Sequence, residues 1–207
     1  KSLSISDNPT PRNEIDKEGN ALGMAESLQY LNLRNTSADF VPKGLQTNVT
    51  LTELKLFSAG LNEENAKKLA NVMLLNDGIK IESLDIQNDD IKSAISLFGQ
   101  LDLKILQLSS VGDASLYETE WIKFFEGIQL RGKLRELYVL GNKINDNIIS
   151  SESIDWTEID LYFFDASENE ITPFAFKKIF SVCPNIIKSI LFSKKVLQDL
   201  EHQHIIL

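Results

Sequence analysis

Residues 134–144 read LRELYVLGNKI, and this stretch decides the fold. It fits the frame L-x-x-L-x-L-x-x-N-x-L, whose first, fourth, sixth and ninth positions are filled by Leu134, Leu137, Val139 and Asn142. In a β-strand alternate side chains point to opposite faces, so the fourth and sixth positions face inward together. The first position joins them at the bend. The asparagine at the ninth position leaves the strand and can hydrogen-bond backbone groups of the turn.

Six further copies of the frame run along the chain. They start at Leu28, Leu51, Ile81, Leu103, Leu161 and Ile187, and a partial copy at the chain start contains Leu3, Ile5 and Asn8. Successive complete copies start 23, 30, 22, 31, 27 and 26 residues apart. Because each repeat buries its apolar side only against its neighbours, we expect a single domain over residues 1–207 with seven to eight repeats.

Segments of helical period lie between the predicted strands. In the clearest one, a single apolar stripe is formed by Ala66, Leu69, Ala70, Met73 and Leu74. Asn62 precedes this stripe and is suited to cap the helix, because its side chain can accept a hydrogen bond from the first turn. The ninth-position residues Ala59 and Val111 have no polar side chain, so they cannot support their turns in the way that asparagine does.

Further helices are expected later in the chain. One covers about residues 116–130, with its inward side formed by Trp121, Phe125 and Ile128. Another starts at Pro173, with Thr172 as its cap. The interval 37–48 is short and contains Pro42 and Gly44, so it has room for only a turn of helix.

The stretch AGLNEENAKKLANVM at residues 59–73 resembles the ribonuclease-inhibitor and RanGAP-like subfamily of leucine-rich repeat proteins. That subfamily carries a G-L-x-x-x-x-A-x-x-L-A signature, matched here by Gly60, Leu61, Ala66, Leu69 and Ala70. Weaker matches are GNKINDN (141–147) and ENEITPFAFKKIF (168–180). The resemblance implies an α/β fold, a leucine-rich repeat solenoid or horseshoe with a parallel β-sheet on its concave side and helices on its convex side. It also implies protein recognition.

Composition narrows the choice of partner and compartment. A formal charge of −9 disfavours nucleic acid and anionic membrane surfaces as partners. No apolar run approaches the roughly 18 residues of a membrane span. With Cys183 as the one cysteine, no disulfide forms within this stretch, which favours an intracellular location, in the cytoplasm or in a host cytoplasm. The chain lacks an initiating Met and opens partway through a repeat, so we expect it to be a fragment of a longer protein.

Positions three, five and seven of each frame face out of the predicted sheet and form columns across its concave side. In the C-terminal half these columns hold the apolar residues Ile105, Tyr138, Leu140, Phe163 and Leu191. Glu136, Asp165 and Glu168 lie beside them. Aromatic anchors rimmed by charge are typical of protein interfaces, so we hypothesise that this patch binds a protein ligand. Alternatively, a shifted register or coverage by a terminal segment makes these residues ordinary core.

The usual catalytic and cofactor-binding signatures are absent from the sequence. No P-loop, dinucleotide-binding glycine motif, H-E-x-x-H or G-x-S-x-G pattern occurs. His202 and His204 form an H-x-H that could bind a metal, but a solvated chain end is favoured. Asp85, Asp89 and Asp90 lack the glycine and spacing of a calcium loop, and we expect a solvated strand end. The sequence therefore predicts no catalytic residue, metal or cofactor.

The predicted function is a noncatalytic protein-interaction module, either the recognition part of a larger protein or a secreted effector. The effector version rests on the divergent repeat in a chain rich in Ile, Lys and Asn. The alternative is a GTPase-activating protein, since the RanGAP family shares this repeat. Arg34 in the seventh column and Arg135 nearby are its candidate residues, but the long acidic tail of that family is missing. The sequence leaves the oligomeric state open.

Overall fold

The structure is a computed structural model that describes residues 1–5, 7, 15–182 and 190–191. Eight strands form one parallel sheet, in which each strand pairs with the next one along the chain. The strands are β1 (Ser2–Ser4), β2 (Tyr30–Asn32), β3 (Glu53–Phe57), β4 (Ser83–Gln87), β5 (Ile105–Ser109), β6 (Glu136–Tyr138), β7 (Phe163–Asp165) and β8 (Ile190–Leu191). The predicted α/β class with a parallel sheet is confirmed.

A helix lies between each pair of successive strands, and neighbouring helices are in contact. The helices are α1 (Ile15–Gly23), α2 (Val41–Gly44), α3 (Glu63–Leu75), α4 (Ile95–Phe98), α5 (Glu118–Arg131), α6 (Asp146–Ile149) and α7 (Pro173–Val182). Single 3₁₀ turns add Lys92–Ala94, Ala114–Leu116 and Trp156–Glu158. Among the described residues, no helix has both the length and the apolar character needed to cross a membrane.

Short and long helices alternate along the chain. The helices α2, α4 and α6 have four residues each, whereas α1, α3, α5 and α7 have 9 to 14. The same alternation is visible in the sequence, where the frame starts at residues 28, 81, 134 and 187 are each 53 residues apart. The repeating unit is therefore a pair of strands, with a short helix followed by a long one.

One face of the sheet is buried and the other is largely half-exposed. In the described frames that start at residues 28 to 161, the fourth and sixth positions face the helices and are almost fully buried, as in Leu54, Leu56, Leu84, Ile86, Leu106, Leu108, Leu137 and Val139. In the partial first frame, Leu3 is 44% exposed. In β3 the alternation is regular, because every second residue is buried and its neighbours are half-buried. Each buried aliphatic side chain of this kind contributes roughly 1.5–3 kcal/mol to stability. We refer to the other side, formed by positions three, five and seven, as the open face.

The helix predictions agree with the structure except in two details. Asn62 caps α3, because its side-chain oxygen accepts a hydrogen bond from the Asn65 amide at 2.9 Å. The predicted helix at 116–130 begins later, at Glu118, because a 3₁₀ turn precedes it. Its inward residues are buried as predicted. Helix α7 starts at Pro173, as predicted. The second difference concerns its predicted cap, because the Thr172 hydroxyl donates a hydrogen bond to the carboxylate of Asp146 at 2.5 Å. The interval 37–48 holds one helical turn, α2.

The eighth position of every described frame has a left-handed backbone. The φ angles there lie between 48° and 67° at Asp7, Asn35, Ser58, Asn88, Ser110, Gly141 and Glu168. Residues other than glycine adopt this conformation only at a cost, so its recurrence shows that the turn geometry repeats more faithfully than the residue type. This turn ends each strand and directs the ninth side chain back beneath the sheet.

The ninth-position asparagines connect neighbouring repeats. Asn142 is fully buried, and its side-chain NH₂ donates to the carbonyls of Leu108 at 2.6 Å and Val139 at 2.8 Å. Its oxygen accepts from the Val111 amide at 2.8 Å. Asn169 repeats the arrangement one strand later, where its oxygen accepts from the amides of Asn142 and Ile144. Each asparagine therefore supports the turn of the preceding repeat as well as its own strand end.

Asp89 plays the same part in the N-terminal half, and the prediction that it is solvated was wrong. It is 7% exposed, and its carboxylate accepts from the amides of Ala59, Gly60 and Leu61. Burial raises its pKa to about 6, although the three backbone hydrogen bonds oppose that shift. Asp85 is also buried, whereas Asp90 is exposed as predicted. The turns at Ala59 and Val111 thus take their support from the following repeat.

Candidate protein-binding surface

Strands β6 and β7 bring four of the predicted site residues together on the open face. The register sets Glu136 beside Phe163 and Tyr138 beside Asp165. The rings of Tyr138 and Phe163 lie on one diagonal of this arrangement, with centroids 4.7 Å apart and planes tilted by 33°. Glu136 and Asp165 occupy the other diagonal. All four are half-buried. We call these four residues the aromatic–acidic square.

Hydrogen bonds within the chain hold both acids of the square. The Tyr138 hydroxyl donates to Glu136 Oε2 at 3.1 Å. Burial raises the pKa of Tyr138, and the hydrogen bond and the negative charges of Glu136 and Asp165 raise it further, so the hydroxyl keeps its proton at neutral pH. Asp165 Oδ1 accepts from the Ser167 amide at 3.0 Å and from its hydroxyl at 2.6 Å. In the described part of the chain, Glu136 Oε1 and Asp165 Oδ2 accept no hydrogen bond.

The remaining predicted residues lie around the square and differ in position and exposure. Ile105 pairs with Glu136 from β5 and is half-buried, so it adds apolar surface on one side. Leu140 lies beyond the end of β6, where it is half-buried and its carbonyl accepts from the Ser110 amide. Leu191 is on β8, next to Asp165 in the register, but its side chain lies outside the described part of the structure. Glu168 is exposed in the turn after β7.

A group of buried aromatic rings lies beneath the square. Phe164 follows Phe163 in the chain and points into the core, where its ring lies 6.1 Å from Trp156 and 6.5 Å from Phe125. The Trp156 Nε1–H donates to the carbonyl of Ile149 at 2.9 Å. Trp121 belongs to the same group, so both tryptophans are core residues, as predicted for Trp121. Closely packed rings with satisfied polar groups give the open face a rigid support here.

The N-terminal half of the open face also carries rings and charges. The guanidinium carbon of Arg34 lies 4.7 Å from the ring centroid of Phe57. The ammonium of Lys55 lies 5.7 Å from the ring centroid of Tyr30 and 3.1 Å from the carboxylate of Glu53. Burial alone lowers the pKa of Lys55, but the hydrogen bond and charge of Glu53 more than offset this, so the pKa is raised. Lys55 therefore stays charged.

A polar strip on β4 and β5 separates the two halves. The Gln87 side-chain amide donates to Asp85 Oδ1 at 2.8 Å and to Gln107 Oε1 at 3.2 Å. Burial raises the pKa of Asp85, while the Gln87 hydrogen bond lowers it in part. Sequence reasoning missed this strip, because the alternation assigns a column to each residue but does not give the hydrogen bonds across it.

The candidate catalytic and metal-binding residues of the sequence analysis are not part of the square. Arg135 lies immediately before β6, where its Nη1 donates to the carbonyls of Gly132, Leu134 and Asp160. Among the residues that the structure describes, no three His, Cys, Asp or Glu side chains are grouped so that they could hold a metal ion. Cys183, His202 and His204 lie outside those residues.

No known protein-family model matches this chain, and no curated protein matches it either.

Proposed function

We propose that the chain is a noncatalytic protein-binding module of the leucine-rich repeat type, and that its partner binds the open face at the aromatic–acidic square. The observation that carries the proposal is the contact of two half-exposed rings, Tyr138 and Phe163, between two carboxylates on a sheet surface. Large aromatic side chains beside a charged rim are the groups that dominate the energy of protein interfaces.

The architecture supports a binding role for this face. The helices cover the leucine side of the sheet, and the third and fifth columns of the other side remain half-exposed across β5, β6 and β7. In a leucine-rich repeat solenoid this side is concave, so it presents a broad wall to a macromolecule. The rigid aromatic core under the square limits the entropy lost when a partner orders these side chains.

Affinity purification with quantitative mass spectrometry tests the proposal. The wild-type chain and the variant Tyr138→Ala/Phe163→Ala serve as baits under the same conditions. The matched control is Leu75→Ala/Leu130→Ala, which removes two apolar side chains that are 83% and 84% exposed on helices α3 and α5. Circular dichroism verifies that all three chains are folded.

We expect a partner that the wild type and the control capture and that the square variant loses. Its measured affinity for the square variant should fall at least about 30-fold, because hot-spot truncations cost roughly 2 kcal/mol or more. A folded square variant that retains every partner of the wild type with unchanged affinity contradicts the proposal.

The GTPase-activating alternative stays a prediction with its own assay. Arg34 is the exposed arginine that sequence analysis placed in the seventh column, and it lies over Phe57. Single-turnover GTP hydrolysis by small GTPases, with the wild type and Arg34→Ala, measures whether this chain accelerates the reaction.

A further inference from the structure

The two halves of the open face differ in what covers their aromatic rings. In the N-terminal half, Arg34 covers Phe57 and Lys55 covers Tyr30, both within the roughly 6 Å of a cation–π contact. Both cations belong to the chain itself. The rings of this half therefore have their electrostatic partners already.

The aromatic–acidic square has rings and acids, but the described part of the chain places no such cation on it. Across the described residues, no lysine or arginine lies over Tyr138 or Phe163, and none forms an ion pair with Glu136 or Asp165. Arg135 is near in sequence, but it donates to backbone carbonyls and lies over the ring of Tyr162. The described residues thus supply no cation to these two carboxylates and two half-exposed rings.

We propose that the bound protein supplies this cation, and that the square is the seat of an arginine side chain. This inference rests on the proposed function of the open face. The contact of Arg34 with Phe57 provides the template, since these two residues occupy the same column on neighbouring strands. In the square, Glu136 and Asp165 lie on either side of the ring pair, and each has one carboxylate oxygen that accepts no hydrogen bond from the described residues.

The chemistry of the square selects arginine over lysine. A guanidinium is planar, so it stacks on aromatic rings while its edge donates to carboxylates. A lysine ammonium pairs with the carboxylates but has no plane to stack on the rings, and it loses more hydration on binding. The net charge of −9 attracts any cation at long range, so preference between the two cations, and not attraction itself, is the relevant measurement.

Nuclear magnetic resonance titration makes this comparison directly. The probes are two capped pentapeptides, Gly-Gly-Arg-Gly-Gly and Gly-Gly-Lys-Gly-Gly, added to the whole chain while the ring ¹H–¹³C resonances of Tyr138 and Phe163 are followed. We expect the arginine probe to shift both rings and to saturate at a concentration at least about fivefold below that of the lysine probe. Equal saturation by the two probes, or no shift of these rings, overturns the proposal.

Two variants separate the seat from general attraction. Glu136→Gln/Asp165→Asn keeps the shapes and the internal hydrogen-bond acceptors, so it should remain folded and lose at least about fivefold in affinity for the arginine probe. The control Tyr30→Ala/Phe57→Ala removes rings that the chain already covers and should leave the affinity within twofold. An equal loss of affinity for the arginine probe in both variants contradicts the proposal that the square is an arginine seat.

The outcomes distinguish this inference from the proposed function. If a captured partner depends on Tyr138 and Phe163 but the arginine probe shows no preference over lysine, the binding surface stands and the arginine seat is wrong. If the probe binds the square but no captured protein depends on it, the proposed function fails at this surface.

Discussion

The N-terminal and C-terminal halves of the open face contain similar groups in different arrangements. Around β2 and β3, two rings and one acid are combined with two cations of the chain. Around β6 and β7, two rings and two acids are combined with none among the described residues. In the first arrangement the chain itself supplies the cations, and in the second we propose that a partner supplies one. The difference teaches that aromatic rings on one face of a sheet can differ in whether a cation of the described chain lies over them, so the charges beside a ring must be considered together with its exposure.

The halves also differ in how their turns are supported. In the C-terminal half, Asn142 and Asn169 both donate to and accept from backbone groups of two repeats. In the N-terminal half, Thr36 donates weakly, at 3.3–3.4 Å, to the carbonyls of Arg34 and Ile5, and Asp89 only accepts. We expect the C-terminal turns to depend more strongly on a single side chain.

The largest expected effect comes from Asn142→Ala. The change leaves the Val111 amide and the carbonyls of Leu108 and Val139 without their buried partner, so it should lower the free energy of unfolding by about 3 kcal/mol. Thr36→Val removes a hydroxyl whose contacts include two long hydrogen bonds, and it should cost less, about 1 kcal/mol. Urea denaturation measures both. Equal losses in the free energy of unfolding would contradict the expectation that the C-terminal turns depend more strongly on a single side chain.

A smaller effect concerns the buried carboxyl of the N-terminal half. The folded-state pKa of Asp89 is raised from 3.8 to about 6, so folding favours its protonated form. Its contribution to stability is complete below pH 3.8 and is lost as the pH rises through about 6. Between pH 4.5 and 8, the wild type should lose on the order of 2 kcal/mol that Asp89→Asn does not lose.

The control for this pH dependence is the exposed neighbour, Asp90→Asn. Its free energy of unfolding should follow the wild-type pH profile in urea denaturation. A wild-type profile parallel to that of Asp89→Asn over this range would mean that the carboxyl is ionised throughout, and that its three backbone hydrogen bonds outweigh burial.

The sequence predicted the repeating strands, their register and the long helices, because these follow from apolar periodicity. Leu54 and Leu56 are buried, and Ile105, Glu136 and Phe163 share one column, as the frame requires. The 53-residue double repeat was also visible in the sequence, but only when alternate spacings are added together.

What the sequence missed depends on contacts between repeats. Asp89 looked solvated because its partners, the amides of residues 59–61, lie about 30 residues earlier in the chain. The cation contact of Arg34 with Phe57 was missed for the same reason. The register placed Tyr138 near Phe163 but could not give the contact between their rings, which depends on side-chain rotamers.

The smallest expected effect is at the left-handed turns. Ser58 and Gly141 occupy the same eighth position, with φ of 48° and 67°. Ser58→Gly should raise the free energy of unfolding by up to about 0.5 kcal/mol, because relief of strain exceeds the added entropy of the unfolded chain. Gly141→Ala should lower it by about 1 kcal/mol, since its Cβ would also lie 3.1 Å from the Ser110 hydroxyl. Thermal denaturation of the two variants measures these shifts, and the same sign for both would contradict a shared turn geometry.

The central claim is that the C-terminal square can bind a partner because, among the described residues, no lysine or arginine covers it. Glu136→Arg places a guanidinium beside Phe163, in the same column on the neighbouring strand, as Arg34 lies beside Phe57. Glu53→Arg makes the same change of charge in the N-terminal half. The most direct measurement is the affinity of both variants for the partner captured through the square. We expect a loss of at least about 30-fold for Glu136→Arg and less than threefold for Glu53→Arg, whereas equal losses, or no loss for Glu136→Arg, would contradict the account.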